Sequence, residues 1–483
     1  MSPTPNKGDL SRRRVLQGTA LGAAAIPAAG LLSACATGGG GEGEDVKNSG
    51  DAKNPFDVDG SKPLDVVIFN GGFGVEYADE KTGHVSLYKK KFKKSDAKMT
   101  SQKNIKKTQM NRFADSKPAD VIDNSGADKI ALDTLVNDGL LAELTPLLKA
   151  PSIDDPDKTV EETLIGGALR QGTFNVDGKP KVFALPYITE GWFIWHNGAL
   201  FKEKGWDVPK TWEEMLDLAK DMKKDGVAPW TFTGVHPYYL WDTLYTLAAR
   251  DGGREVVQDI DNLKADAWGN ASIEKAAEAM YKLQEKGYTL EGSPGLDHTK
   301  SQLKWYDGDA AFIPVGTWLP LELSNDLAKD NKKISDDFEF KATGVFAFEG
   351  SKSPDMLWLS GGEPFVVPEE AANKPGAYEY LRIMLSKEGS KVFTDATKSL
   401  SVLDGQKTDD PVASQVVALN KGPDNLHRPQ VMDWYVDFKE PVEPLLTKMM
   451  KGDMKPDAFL KAAQKAADKV AANDKIDKFK QEY

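Results

Sequence analysis

The sequence is poorest in sulfur and imidazole: its 483 residues include one cysteine and five histidines. A single cysteine excludes an internal disulfide framework and a CxxC zinc site. The histidines (His84, His196, His236, His298 and His427) never fall in HExxH spacing, which argues against zinc catalysis. Positive charge is also short, with 62 lysines and arginines against 74 acids and a net charge of -12. Nucleic-acid binding depends on Lys and Arg displacing phosphate counterions, so this balance speaks against such a partner. No GxxxxGK[ST] loop is present, and Asn70–Gly74 lacks GxGxxG spacing. The string nearest to GxSxG, Glu291-Gly292-Ser293-Pro294-Gly295, has Glu where Gly is required. Neither nucleotide binding by these motifs nor nucleophilic hydrolysis finds support.

What is present begins with an export signal. Lys7, Arg12, Arg13 and Arg14 stand against Asp9, and an Ala- and Gly-rich apolar stretch follows from Val15 to Leu32. Ser11-Arg12-Arg13-Arg14-Val15-Leu16 resembles the twin-arginine consensus. The stretch is nearly long enough to span a bilayer, but Pro27, several glycines and Cys35 argue against an anchor helix. Leu32-Ser33-Ala34-Cys35 resembles a bacterial lipobox, in which the cysteine sulfur is acylated and becomes the new N-terminus. Residues 1–34 therefore read as a Tat-type lipoprotein signal, with Cys35 the lipidation site. Two acyl chains hold far better than one, since each buried CH₂ adds ~0.8 kcal/mol. Residues 35–61 read as the lipidated cysteine and a tether, because Ala36–Asn54 is too polar to offset its ordering entropy. The expected location is the extracytoplasmic face of the cell membrane.

The remainder has ordinary globular composition, 40% hydrophobic and 28% charged. Strand-like runs alternate with amphipathic stretches, which predicts an α/β fold with mainly parallel sheets. Leu64–Phe69 reads as a strand leading to the Gly-rich turn Asn70–Gly74. A lysine-rich helix is expected around Leu87–Lys94, a strand at Asp120–Ile122 and a helix at Ile130–Leu141. The basic run Lys89–Lys94 is read as a solvated helix face.

Aromatic residues cluster beside carboxylates and turn glycines: Trp192 and Trp195 after Glu190, Trp230, Tyr238-Tyr239-Leu240-Trp241, Trp318, and Trp434-Tyr435 after Asp433. Sugars offer apolar C–H faces rimmed by hydroxyls, which proteins hold with stacked rings and forked polar side chains. Core packing is the competing role for any one tryptophan. It is weakest where Trp follows Gly at a strand end, as in Phe312–Trp318.

Several strings together resemble the extracellular solute-binding lipoproteins of carbohydrate ABC importers, the class that includes the maltose-binding protein. They are PADVIDNSGAD (Pro118–Asp128), DGLLAELTPLL (Asp138–Leu148), Leu185–Leu216 with its Pro-x-Thr-Trp helix entry, and GDAAFIPVGTW (Gly308–Trp318). VVIFNGGFG (Val66–Gly74), APWTFTGVHPYY (Ala228–Tyr239), GSPGLDHTKSQ (Gly292–Gln302) and GGEPFVVP (Gly361–Pro368) are similar to the actinobacterial N-acetylglucosamine/diacetylchitobiose-binding subfamily. The resemblance covers about Pro63–Lys469. It implies an α/β, two-lobed periplasmic-binding-protein-like fold with a multi-strand hinge and an interlobe ligand cleft. Lobe one is expected at 62–187 and 347–405, lobe two at 192–344 and 406–483.

By that resemblance Glu190 is the hinge-side acceptor of sugar hydroxyls, Tyr238, Trp318 and Trp434 are stacking rings of the second lobe, and Trp241 follows one helical turn on. Asp123 and Asn124 sit where the first lobe's polar loop meets ligand, though a tryptophan common there in maltose binders is absent. Phe73 is a candidate sugar cover from the first lobe, and Trp358, Gly361 and Glu363 lie on another hinge strand. Asp297 and His298 either bind an acetamido group or cap a helix. No enzyme activity, cofactor or metal is implied. The expected partners are N-acetylglucosamine or a chito-oligosaccharide, the ABC permease subunits and the membrane through a lipid anchor, with the protein a monomer. The rivals are a maltose or cellobiose binder and an exported glycoside hydrolase, which would need two carboxylates ~5–9 Å apart.

Overall fold

The computed structural model describes residue 49 and residues 51–482. The signal, Cys35 and the first part of the tether lie outside the described residues. No described helix is long and apolar enough to cross a membrane.

β1 (Leu64–Phe69) is a run of β-branched and aromatic residues, and its alternation serves two cores. Leu64, Val66 and Ile68 enter one apolar cluster and Val67 the other. β1 pairs in parallel with β2 (Ala97–Gln102) and β3 (Val121–Asp123). Buried Asp120 fastens this edge: Oδ2 accepts the Asp65 N–H at 2.8 Å and Oδ1 the Asn373 N–H at 2.7 Å. β4 (Thr173–Val176) and β5 (Lys179–Val182) form a hairpin around Asp177 (φ 55°) and Gly178 (φ 75°). That Asp-Gly pair supplies the two positive φ values of a tight hairpin turn.

β6 (Ala184–Asn197), at fourteen residues, passes between the lobes. β7 (Ala228–Trp230) lies parallel to β8 (Ala310–Gly316), and β8 and β9 (Phe340–Thr343) pair antiparallel with the second half of β6. The first half of β6 pairs antiparallel with β10 (Leu357–Val366), which also meets β3 and β11 (Leu426–His427). Among the described residues the order is β2-β1-β3-β10-β6-β8-β7, with β9 on β6 and β11 on β10. The sheet is mixed rather than mainly parallel. β6 and β10 run antiparallel at the centre, as do β3 with β10 and β6 with β8, while short β11 lies parallel to β10.

Helices cover both lobes. The Trp212–Lys224 helix starts where Thr211 Oγ1 accepts the Glu214 N–H at 3.2 Å, and it buries Trp212, Met215, Ala219 and Met222 along one stripe. Residues 347–356, which the sequence places with lobe one, pack on this second-lobe helix instead. The Trp212 N–H donates to Ala347 O at 2.8 Å, and the rings of Trp212 and Phe348 lie 6.2 Å apart.

Candidate functional site

Beside the crossing strands lies a cavity of about 340 Å³. Glu190 and Thr189 are neighbours on β6, so their side chains leave opposite faces. Glu190 enters this cavity, while Thr189 enters a separate, mostly apolar one. Across the strand pair is Gly362, where a Cβ would come within 1.9 Å of the Glu190 carboxylate. The glycine leaves that carboxylate its place.

Burial pushes the Glu190 carboxyl up, against the pull of Arg428 and Lys129. Arg428 Nη1 is 4.0 Å from Glu190 and Nη2 3.2 Å from Asp433, and its guanidinium lies 4.3 Å from the Trp358 ring. Lys129 Nζ reaches Asp433 at 3.2 Å. Burial alone would raise the Asp433 carboxyl, but Lys129 and Arg428 outweigh it and hold the group well below the carboxylate range. Glu363 sits on β10 at φ 50°, a left-handed conformation that a non-glycine side chain adopts at some cost. Burial and the neighbouring Asp123 and Glu190 charges push its carboxyl far up.

The second lobe supplies rings. Pro237 opens the Tyr238–Gly252 helix, and helical spacing brings Tyr238, Trp241, Asp242 and Tyr245 to the cavity side. Tyr238 is half-buried, its ring 4.4 Å from that of Tyr239. Trp241 is 1% exposed, donates Nε1–H to Glu443 O at 3.2 Å and packs on Trp268 and Phe459, so only its edge reaches the cavity. Trp318 is half-buried at the start of the Leu319–Lys329 helix, with Trp192 and Tyr239 at ring distances of 6.0 and 6.2 Å. One turn on, Glu322 accepts from Gln302 Nε2 at 2.6 Å, and burial pushes its carboxyl up to about 7. His298 also lines the wall, 3.6 Å from Glu322. Asp297 does not: it caps the His298–Tyr306 helix, accepting the Lys300 N–H at 2.8 Å.

Six of the ten ligand-contact candidates therefore meet at one cavity: Glu190, Tyr238, Trp241, Trp318, Trp358 and Glu363. The other four belong to the interior. Phe73 is 3% exposed, its ring 6.0 Å from Phe393. Asp123 is fully buried, accepting from Ser125 Oγ at 2.5 Å and from Tyr77 Oη and the Phe69 N–H at 3.2 Å. Asn124 clamps its own loop, accepting the Ile130 N–H at 2.9 Å and donating to Ile130 O at 2.8 Å. Trp434 is 4% exposed against Phe479, 5.4 Å between rings. It borders a larger cavity of about 630 Å³ formed largely by Leu164–Arg170 and the C-terminal residues. The rings of that cavity, Phe174, Trp434 and Phe479, are buried against one another, whereas the smaller cavity has the half-buried faces of Tyr238 and Trp318 and is the candidate ligand site.

Asp242, Glu322, Lys129 and Arg428 are wall residues that sequence reasoning missed. The signal for Asp242 was helical: it lies four residues beyond Tyr238 and beside Trp241. Three wall residues also carry a buried polar atom with no protein partner: Gln171 Oε1, Tyr245 Oη and Trp358 Nε1. Such atoms call for water or a polar ligand.

Two lobes joined by shared long strands, with a ring-and-carboxylate cavity beside the joint, define a two-lobed periplasmic-binding-protein-like fold. Residues 101–391 match the family of bacterial extracellular solute-binding proteins, and the chain belongs to that family. It is 27% identical over 491 residues, 99% of both chains, to the diacetylchitobiose binding protein NgcE of Streptomyces coelicolor. The fold superposes on a chitin oligosaccharide binding protein with a TM-score of 0.59 at 22% identity, covering 78% of this chain and 90% of that one. A structure from work on xylan utilisation by Caldanaerobius polysaccharolyticus gives 0.68 at 18% identity, covering 83% and 99%.

Proposed function

We propose that this protein captures N-acetylglucosamine or a short chito-oligosaccharide outside the cell and delivers it to an ABC permease. The observation that carries this reading is the meeting, in one cavity, of half-buried rings (Tyr238, Trp318) with polar groups that lack protein partners. Rings stack on the C–H faces of a pyranose, and its hydroxyls supply the missing hydrogen bonds. The whole-length likeness to a diacetylchitobiose binding protein supports the choice of sugar. Lobe one comprises about 62–187 and the segment from within β10 to 405, and lobe two about 192 to within β10 and 406–483. Sugar contacts made from both lobes favour the closed form, which the permease reads, since a ligand binding both forms equally would shift nothing.

A panel of sugars in a thermal-melt assay tests the reading. At ~100-fold excess over Kd a ligand adds roughly 2.7 kcal/mol, enough to read directly. N-acetylglucosamine and diacetylchitobiose are expected to raise the melting temperature, and maltose and cellobiose to do little. A shift with maltose alone would leave sugar transport standing and overturn the choice of ligand. The lipobox-like string Leu32–Cys35 supports a lipid anchor on the membrane, and Cys35→Ala should release the protein or leave the precursor uncleaved. Membrane retention of a cleaved, unlipidated Cys35→Ala chain would sink the anchor.

A further inference from the structure

The charges around the cavity pair off unevenly. Lys129 and Arg428 each lie 3.2 Å from Asp433, and Arg428 also reaches Glu190 at 4.0 Å. These two cations thus face two carboxylates, and Lys439 on the same wall pairs with Glu443 at 3.8 Å. Glu322 and Glu363 also line the wall, and Asp242 is a further carboxylate in the same field, presented by the helix that carries Tyr238 and Trp241. Among the described residues no N–H or O–H donates to its side chain and no cation pairs with it; its electrostatic neighbours act at longer range. One turn on, the Tyr245 hydroxyl is buried without a partner, and that residue lines the same wall. Asp242 is half-buried at this wall, so its carboxylate is partly stripped of water and lacks a protein donor, and an ionised group so placed gains from one.

We propose that the cavity takes an amino sugar bearing a free ammonium group, the 2-amino-2-deoxyhexose unit of a partly deacetylated chito-oligosaccharide, with Asp242 as its counter-ion. This rests on the sugar-capture reading above and extends it from neutral to cationic ligands. A hydroxyl offers Asp242 one neutral donor. An ammonium offers three donors and the opposite charge, and charge-assisted hydrogen bonds are about twice as strong as neutral ones. The faces of Tyr238 and Trp318 in the same cavity suit both the sugar ring and the cation. Burial pushes the Asp242 carboxyl up to about 7. Arg428 and Lys129 favour its ionised form, while Asp433 and Glu190 oppose it. An ammonium adds to the first pair, so binding at about pH 6, where the sugar amine is already protonated, releases protons.

Calorimetric titration of the full chain with diacetylchitobiose and with its fully deacetylated dimer, at about pH 6 and in buffers of different ionisation enthalpy, tests the proposal. Both sugars should bind, the deacetylated dimer with proton release. Asp242→Asn should lower affinity for both, and for the deacetylated dimer by about tenfold more than for diacetylchitobiose. Binding of diacetylchitobiose alone overturns the proposal and leaves sugar capture intact. So does an equal loss for both sugars in Asp242→Asn. Binding of neither sugar by the unmodified chain overturns the capture reading together with the proposal.

Discussion

Single side chains on this chain divide by what covers them, and the two tryptophans that the sequence treated alike show how. Trp318 is half-buried at a cavity wall, whereas Trp434 is nearly sealed against Phe479 and Tyr435. Trp318→Ala should cost ~1–3 kcal/mol of sugar affinity, the scale of a recognition-site aromatic, with the smaller effect on apo melting. Trp434→Ala should do the reverse and cost ~3–5 kcal/mol of stability with little change in affinity. Titration beside apo melting separates the two, and a Trp434→Ala chain that melts normally but loses sugar would restore its ligand role. The sequence could not split the pair because both follow a polar residue at an element end; only the partner 45 residues away, Phe479, decides.

Another buried group makes stability depend on pH. Asp261 accepts the Gln430 and Val431 N–H groups at 2.7 and 2.8 Å through Oδ1, but its Oδ2 has no partner, and burial pushes the carboxyl from 3.8 up to about 8. The folded chain holds this proton between about pH 4 and 8 while the unfolded chain has released it, so in that window this group subtracts stability as pH rises. Asp261→Asn keeps the Oδ1 acceptor and cannot ionise. Its melting temperature should match the parent near pH 4 and exceed it by a few degrees at pH 8. An equal difference at both pH values would show that the carboxyl does not titrate there.

At the scale of elements, the crossing strands are what build the site. β1 is legible residue for residue, Leu64–Phe69 in sequence and in structure, because its Val66-Val67-Ile68-Phe69 run favours the extended conformation. The helix expected at Ile130–Leu141 shortens to Leu132–Asn137, since Gly139 at φ 66° ends it. The packing of Ala347 and Phe348 on Trp212 was not legible in the sequence, and neither was the part that β10 plays at the cavity. Its Gly361-Gly362 pair has no side chain to read, yet Gly362 positions Glu190 by leaving it room. Gly362→Ala must push the Glu190 carboxylate aside, the predicted Cβ contact being 1.9 Å. Affinity should drop about tenfold, the scale of one lost charge-assisted hydrogen bond, with melting nearly unchanged. Wild-type affinity in that variant would mean that Glu190 does not contact the sugar.

Over the whole molecule the apolar interior is less divided than two lobes suggest. One cluster fills a single face of the β1 sheet; the other starts on the opposite face, with Val67, Ile122 and Leu135, and continues into the second lobe. Phe174 on β4, Trp434 and Tyr435 meet around Phe479, with ring distances of 5.3, 5.4 and 5.7 Å. The tail is also pinned by its backbone: the Phe479 N–H donates to Tyr435 Oη at 2.9 Å, and Asn262 and Gln481 exchange two hydrogen bonds at 2.7 and 3.0 Å. None of this shows in the sequence, where the C-terminal stretch is polar and Phe479 is an isolated ring. The tail acts as a strap from the hairpin to the second lobe, and one cooperative unfolding transition is expected, seen alike by tryptophan fluorescence and far-UV circular dichroism. Phe479→Ala should cost ~3–5 kcal/mol, the range for a buried phenylalanine, lowering the urea midpoint without changing the slope. A loss under ~0.5 kcal/mol, the scale of an ordinary surface substitution, would show that the strap carries no stability. Two separated transitions in the parent chain would show instead that the lobes unfold independently, and that the shared cluster does not couple them.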